Sequence, residues 1–103
     1  LSVDKDERFR IAENLGENKV LIMRNHGLLT VGETAGESFM NMYYAVRMCE
    51  VAVQAQSSGL ELKSASKELW EKSQKQYDAF FPGVSEWPAL LRRCDAVDPT
   101  YKE

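Results

Sequence analysis

The segment at residues 23–32 decides the fold; it reads Met23-Arg-Asn-His-Gly-Leu-Leu-Thr-Val-Gly32. Apolar residues flank a polar Arg-Asn-His-Gly centre, which is typical of a tight turn between two short strands. We expect Asn25 and Gly27 to serve this turn, because both residue types tolerate a positive φ. The chain has a single histidine, His26. At the end of a buried strand it is either a solvated turn residue or a metal ligand directed into a cleft.

The residues around this segment predict two strands and four helices in the order α-β-β-α-α-α. Branched residues indicate the strands, and apolar residues at helical spacing indicate the helices. Gly16 is expected to end the first helix, Ser85 to cap the last one, and residues 98–103 to fray. The expected bounds are about 5–15, 19–23, 28–31, 35–57 and 65–80, followed by a short helix after Ser85.

Two pairs of residues have the spacing of a capping box at the start of a helix. They are Asp4 with Glu7 and Thr34 with Glu37. In such a box the side chain of the first residue accepts a hydrogen bond from the backbone amide of the second, and the side chain of the second accepts one from the backbone amide of the first. We therefore interpret Thr34 and Glu37 as a helix cap and not as a catalytic pair.

The long helix predicted at about residues 35–57 is apolar around most of its circumference. One stripe repeats at helical spacing and is expected to face the core. Further apolar residues cover other sides, so we expect part of the helix to contact another subunit or another part of a longer chain. The expected core stripe consists of Phe39, Met42, Val46, Cys49 and Val53.

Composition excludes several classes of protein. The 103 residues carry a net charge of −3, which argues against a nucleic-acid-binding protein, since that function needs a basic surface. No apolar run is long enough to cross a membrane. The first residues do not resemble a signal peptide, and the lack of an initiator Met suggests excision from a longer chain. Cys49 and Cys94 are expected to be buried free thiols of a cytoplasmic protein.

The segment at residues 20–32, with the helix that follows it as far as Glu50, resembles the C-terminal half of the class II aldolase/adducin family. The closing residues 86–93 and 98–101 are similar to the tails of bacterial aldolase-like members, and the resemblance covers nearly the whole chain. It implies an α/β/α layered fold, of which residues 1–103 are the C-terminal portion of one domain. Two strands do not form a stable sheet alone, so the alternative is a mostly helical domain with a β-ribbon.

The resemblance implies a divalent metal, usually zinc, held by three histidines, one of which corresponds to His26. It also implies a homo-oligomer, often a tetramer, and a small sugar or hydroxy-carbonyl substrate. The family's His-x-His pair and its catalytic Glu have no counterpart in this sequence, so the chain alone holds an incomplete site. The intact protein is expected to be a lyase or an epimerase. The alternative is a non-catalytic module that oligomerises and binds the actin cytoskeleton, as in the adducin head.

Overall fold

The computed structural model of the protein describes residues 5–103 and confirms the mixed α/β class and the order of elements. The two strands form one antiparallel hairpin, and a short 3₁₀ helix follows the last α-helix. The N-terminal capping box that involves Asp4 lies outside the described residues. The elements are α1 (Lys5–Leu15), β1 (Val20–Met23), β2 (Gly27–Thr30), α2 (Ala35–Ser57), α3 (Lys67–Ala79), α4 (Glu86–Val97) and η1 (Pro99–Lys102).

The hairpin has a fixed register that runs from the pair Val20 and Thr30 to the pair Met23 and Gly27. It is tied to α2 by a reciprocal pair of hydrogen bonds. The Thr30 hydroxyl donates to the carbonyl oxygen of Ser38 (3.0 Å), and the Ser38 hydroxyl donates to the carbonyl oxygen of Thr30 (3.3 Å). These bonds set the distance between β2 and the first turn of α2.

The predicted helix ends are mostly confirmed. Gly16 ends α1 at φ +53° as predicted. Ser66, for which no cap was predicted, caps α3 by accepting a hydrogen bond from the amide of Leu69 (3.2 Å). Thr34 caps α2 by accepting from the amide of Glu37 (3.0 Å). The capping box is only half formed, because the Glu37 carboxylate accepts from the amide of Glu33 (3.1 Å) and not from that of Thr34.

The prediction that Ser85 caps α4 is wrong. Ser85 has helical dihedrals and makes no capping hydrogen bond with its side chain. Gly83 takes the role instead: its carbonyl accepts from the amide of Trp87 (3.0 Å), while its own amide donates to the Glu86 carboxylate (2.9 Å). The helical turn therefore begins two residues earlier, at a position where a glycine is needed for packing.

The prediction that residues 98–103 fray is also wrong. Asp98 accepts hydrogen bonds from both the amide (2.9 Å) and the hydroxyl (2.7 Å) of Thr100, which starts η1. The Tyr101 hydroxyl donates to Asp95 of α4 (2.7 Å), and Lys102 forms an ion pair with the same carboxylate (2.7 Å). The lysine and tyrosine hydrogen bonds hold the pKa of Asp95 below its usual range.

The core lies at the N-terminal half of α2, on a different face from the one predicted. Of the predicted stripe, Met42 is half-buried, whereas Phe39 and Val46 are exposed, as are Cys49 and Val53. Apart from Met40, the face that the rest of the chain covers carries small and polar residues, because the hairpin and the α3–α4 turn approach α2 closely. Along α2 the buried residues are Gly36, Met40, Asn41 and Ala45.

The expectation of two buried thiols is therefore wrong as well. Cys49 and Cys94 are both free and both exposed. Cys49 belongs to the uncovered stripe of α2, and Cys94 lies on α4 beside Tyr101. No helix within the described part of the chain is long and apolar enough to cross a membrane.

The fold leaves much more surface uncovered than a compact domain does. The chain exposes 9163 Å², whereas a compact monomer of 11.7 kDa exposes about 5,900 Å². The radius of gyration is 16.9 Å, compared with about 13 Å for a compact domain of this length. The excess of about 3,300 Å² is consistent with apolar faces that another polypeptide segment covers.

Candidate functional site

The turn of the hairpin carries the candidate metal ligand. Asn25 adopts φ +62° and Gly27 adopts φ +126°, so both residues predicted to serve the turn have the positive φ it requires. The amide of His26 donates to the carbonyl oxygen of Met23 (3.3 Å). The backbone of His26 is thus held by the turn, and its side chain is left to project from the tip.

The imidazole of His26 is largely accessible at this tip, with 66% of the side chain exposed. Its Nε2 lies 3.9 Å from Oε1 of Glu7 on α1. That distance is too long for a hydrogen bond and forms an ion pair only when the imidazole is protonated. The arrangement leaves Nε2 able to accept another partner, with a carboxylate nearby.

The described residues do not by themselves complete a metal centre. Within residues 5–103 there is no group of three or more His, Cys, Asp or Glu side chains that could hold an ion. Since a zinc site needs three or four protein ligands, His26 fits as one ligand and the others would have to come from outside the described residues. The assignment of His26 to a metal therefore stays a prediction.

A polar network behind the hairpin joins Lys19, the residue before β1, to α2 and α3. Nζ of Lys19 lies 2.6 Å from Oε1 of Glu37 and 3.5 Å from Oδ1 of Asp78. The hydrogen bond from Lys19, together with the amide of Glu33, lowers the pKa of Glu37. The same bond to Glu37 raises the pKa of Lys19. Both groups are therefore charged across the neutral range.

Asn41 and Tyr77 form the buried part of this network and were not identified from the sequence. Asn41, 5% exposed, donates through Nδ2 to the carbonyl oxygen of Val31 (2.9 Å) and accepts from the Tyr77 hydroxyl (3.0 Å). Burial raises the pKa of Tyr77, which keeps the hydroxyl a donor. The available signal was a lone Asn inside an otherwise apolar part of α2. All of its partners lie within the fold, so its role is structural.

Two grooves flank α2. The first, about 660 Å³, lies between the hairpin, α2 and α3, and its walls include Ile22, Leu28 and Met48 with the Lys19 network at one end. The second, about 690 Å³, lies between the start of α2, α4 and η1, and includes Phe39 and Trp87. Both are mostly apolar and open to solvent. His26 lines neither groove.

Comparison with known proteins places these features in one family. The family model described as "Class II Aldolase and Adducin N-terminal domain" matches residues 3–53, which include the hairpin and most of α2. The "Putative aldolase class 2 protein" of Pseudomonas aeruginosa is 33% identical over 100% of this chain and 42% of its own length. A protein of the same name from Caulobacter vibrioides is 32% identical over 100% of the chain and 41% of its own.

Relatives named for adducin also match. Rat alpha-adducin is 46% identical over 57 residues, which is 54% of this chain and 8% of that protein. No solved structure matches the chain. The chain spans about two fifths of the length of the bacterial relatives.

Proposed function

Because this chain belongs to the class II aldolase/adducin family, we propose that it is the C-terminal portion of a divalent-metal-dependent lyase or epimerase. Its substrate would be a small sugar or sugar phosphate. The observation that carries the proposal is the position of His26, on a turn with fixed backbone and with its imidazole accessible. The bacterial relatives that match the whole chain bear the aldolase name, which supports the same proposal.

In this proposal the role of the described residues is to position one ligand. The bonds between Thr30 and Ser38 tie the open end of the hairpin to α2, and the turn at its other end presents the imidazole. Zinc or another divalent ion, when bound, would act as a Lewis acid on a substrate oxygen. The remaining ligands and the group that moves the proton would come from other parts of the intact protein.

The proposal is tested by replacing His26 with Ala in the intact protein. We expect the bound metal and the turnover of the sugar or sugar phosphate substrate to fall by about tenfold or more, because a site that keeps two protein ligands is much weaker. Metal content is measured by mass spectrometry of the purified protein, and folding by circular dichroism. Arg24→Ala, in the same exposed turn, is the matched control and should keep its metal. An unchanged metal content in His26→Ala would show that this residue only serves the turn.

A second function is favoured by the similarity to adducin. Identity to rat alpha-adducin over 57 residues, at 46%, exceeds the 33% identity to the bacterial relative over the whole chain. The alternative is thus an oligomerisation module that binds actin without catalysis. Co-sedimentation of the intact protein with filamentous actin, in the absence of bound metal, would favour this alternative over the enzyme.

Both alternatives, the enzyme and the oligomerisation module, predict that the intact protein self-associates and lies in the cytoplasm. Self-association is supported by the uncovered apolar area described above. The two exposed thiols are free, which agrees with a reducing compartment. Both statements are open to direct measurement, by light scattering for the assembly and by fractionation of cells for the location.

A further inference from the structure

The first helix presents a carboxylate to the tip of the hairpin. Along α1 the rest of the chain partly covers Glu7, Ile11 and Leu15, whereas the other residues of the helix are exposed. These three residues are four apart, so they share one face of the helix. Since α1 packs against β1, this is the face that it turns to the hairpin.

Glu7 is the charged member of this face. An amphipathic helix normally continues such a face with apolar residues, and a carboxylate that is drawn partly out of water needs a partner. The side chain of Glu7 is 33% exposed, against 66% for His26. The imidazole of His26 lies beside it, with Nε2 at 3.9 Å from Oε1, and is the partner that fits.

The chemistry of the two groups determines which ring nitrogen carries the proton. A neutral imidazole has an N–H donor on one nitrogen and a lone pair on the other, whereas an ionised carboxylate only accepts. A lone pair on Nε2 would be repelled by the oxygens of Glu7, and an N–H at the same place would be attracted to them. The tautomer with the proton on Nε2 is therefore favoured, and it leaves the lone pair of Nδ1 for a metal ion.

The backbone of the turn limits how far the imidazole can move. His26 stands between Asn25 and Gly27, which have positive φ, and its amide donates to the carbonyl oxygen of Met23. The orientation of the ring then depends on the side-chain torsions, which a hydrogen bond to Glu7 would fix. The separation of 3.9 Å exceeds a hydrogen bond of about 3.0 Å by about 0.9 Å, a gap that rotation of two partly exposed side chains can close.

A histidine that binds a metal almost always donates its other ring N–H to a carboxylate, a carbonyl or a water, and this partner orients the ring. From the observations above we propose that Glu7 is the positioning residue of His26: its carboxylate accepts a hydrogen bond from Nε2–H and directs Nδ1 at the metal. The inference rests on the proposed metal role of His26. Glu7 is not itself a ligand in this arrangement, so the other ligands still come from elsewhere in the intact protein.

The first test compares two glutamates of α1. Glu7→Leu removes the acceptor and extends the apolar face, whereas Glu13→Leu removes the same charge at an exposed position about 120° around the helix. In the intact protein, Glu7→Leu should weaken zinc binding by about tenfold or more, and Glu13→Leu should leave it unchanged. Glu7→Gln keeps a neutral acceptor and should fall between Glu7→Leu and the natural protein. Competition with a chromophoric chelator measures the affinity, and circular dichroism should show all three variants folded.

The second test identifies the state of each ring nitrogen and does not use activity. Long-range proton–nitrogen NMR shows which nitrogen of His26 carries the proton in the metal-free protein and which one binds zinc in the loaded protein. In the natural protein we expect the proton on Nε2 and the zinc on Nδ1. In metal-free Glu7→Leu the share of the tautomer with the proton on Nδ1 should rise, whereas Glu13→Leu should match the natural protein.

The results separate this inference from the proposed function. If His26→Ala loses its zinc while Glu7→Leu keeps the natural affinity, or if zinc is found on Nε2, then His26 is a ligand that Glu7 does not position. An equal loss of affinity in Glu13→Leu would show a general effect of charge and would also overturn the inference, as would a loss of folding in both Glu7→Leu and Glu7→Gln. A natural intact protein that binds no zinc would overturn the proposed function and this inference together.

Discussion

The two halves of α2 differ in how much of their surface the rest of the chain covers. The first half, together with the hairpin and the α3–α4 turn, is closed: Gly36 and Asn41 are buried there, and the hydrogen bonds of Asn41 are satisfied within the fold. The second half, from Val46 onward, is open, and its large apolar side chains are exposed. Apart from Met40, small and polar residues thus mark the surface of α2 that this chain covers itself, and large apolar residues mark the surface that it leaves exposed.

The difference has a physical reason. Close approach of backbone to backbone requires side chains that are absent or short, and such contacts are completed by specific hydrogen bonds. Large apolar side chains gain stability from any apolar partner that removes them from water. The packing of the closed half is therefore determined by close contacts within the chain. The open half requires only that some apolar partner remove its side chains from water.

The largest expected effect comes from filling the closest contact of the closed half. A Cβ on Gly83 would overlap the backbone carbonyl carbon of Gly36 and the amide nitrogen of Glu37, and Gly83 also has φ +94°. We expect Gly83→Ala to lower the free energy of unfolding of the intact protein by about 3 kcal/mol, through overlap and backbone strain together. Denaturation in urea measures this change.

Gly59→Ala is the matched control from the open half. Gly59 has a similar positive φ, +71°, but a Cβ there meets nothing within 4 Å. Gly59→Ala should lower the free energy of unfolding only through strain of the backbone at positive φ, by about 1 kcal/mol. Equal losses of unfolding free energy in Gly83→Ala and Gly59→Ala would show that the close contact between Gly83 and Gly36 does not make the closed half more sensitive to substitution than the open half.

The order and bounds of the elements could be predicted because local chemistry sets them. Gly16, Asn25 and Gly27 stand at positive φ, and Thr34 caps α2, so residue type alone indicates where these elements begin or end. These signals do not depend on what packs against the elements. The same reasoning failed for η1, because the tail is held by Asp95, which lies in another helix.

The buried face of α2 could not be predicted from hydrophobic spacing. The stripe predicted as core has a regular apolar repeat at helical spacing, yet the residues of α2 that the chain buries are Gly36, Met40, Asn41 and Ala45. The pattern identified a surface that needs a partner but could not specify which partner. The prediction of the site was limited in the same way. The sequence predicts the turn that carries His26, but a metal centre also depends on further ligands, which the described residues do not supply.

A smaller effect should follow from breaking the buried polar contact of the closed half. Asn41→Leu would leave the Val31 carbonyl oxygen and the Tyr77 hydroxyl without their partner. An unsatisfied buried group costs about 1–3 kcal/mol, so we expect a loss of about 2 kcal/mol in the free energy of unfolding. Hydrogen exchange of the amides in β2 should accelerate at the same time.

Tyr77→Phe gives a graded comparison, since it removes the hydroxyl and keeps the ring beside Tyr44. Only the Asn41 Oδ1 atom loses a partner, and a loss of about 1 kcal/mol is expected. If Asn41→Leu is neutral or stabilising, then the network is not a source of stability and burial at this position follows from packing alone.

The smallest effect concerns the ion pair at the edge of the closed half and its dependence on pH. The pKa of Glu37 is lowered, chiefly by the hydrogen bond from Lys19 and then by the amide of Glu33. A group with a lowered pKa stabilises the fold above its unfolded value, near 4.5, and this contribution is lost as the pH falls through the folded value. The raised pKa of Lys19 removes its part only in the alkaline range, as the pH rises through that folded value.

We therefore expect Glu37→Gln to lower the free energy of unfolding at pH 7 by about 1 kcal/mol or less, since Lys19 is partly exposed and solvent screens the pair. The difference from the natural protein should shrink as the pH falls below about 4.5, because protonated Glu37 resembles glutamine. Glu50→Gln removes the exposed pair with Arg47 in the open half and should change stability less at pH 7. Urea denaturation of the intact protein at pH 7 and pH 3.5 measures both. If the free energy of unfolding of Glu37→Gln differs from that of the natural protein by the same amount at both pH values, then Glu37 acts through its hydrogen bonds and shape and not through its charge. In that case electrostatics does not distinguish the closed half from the open half.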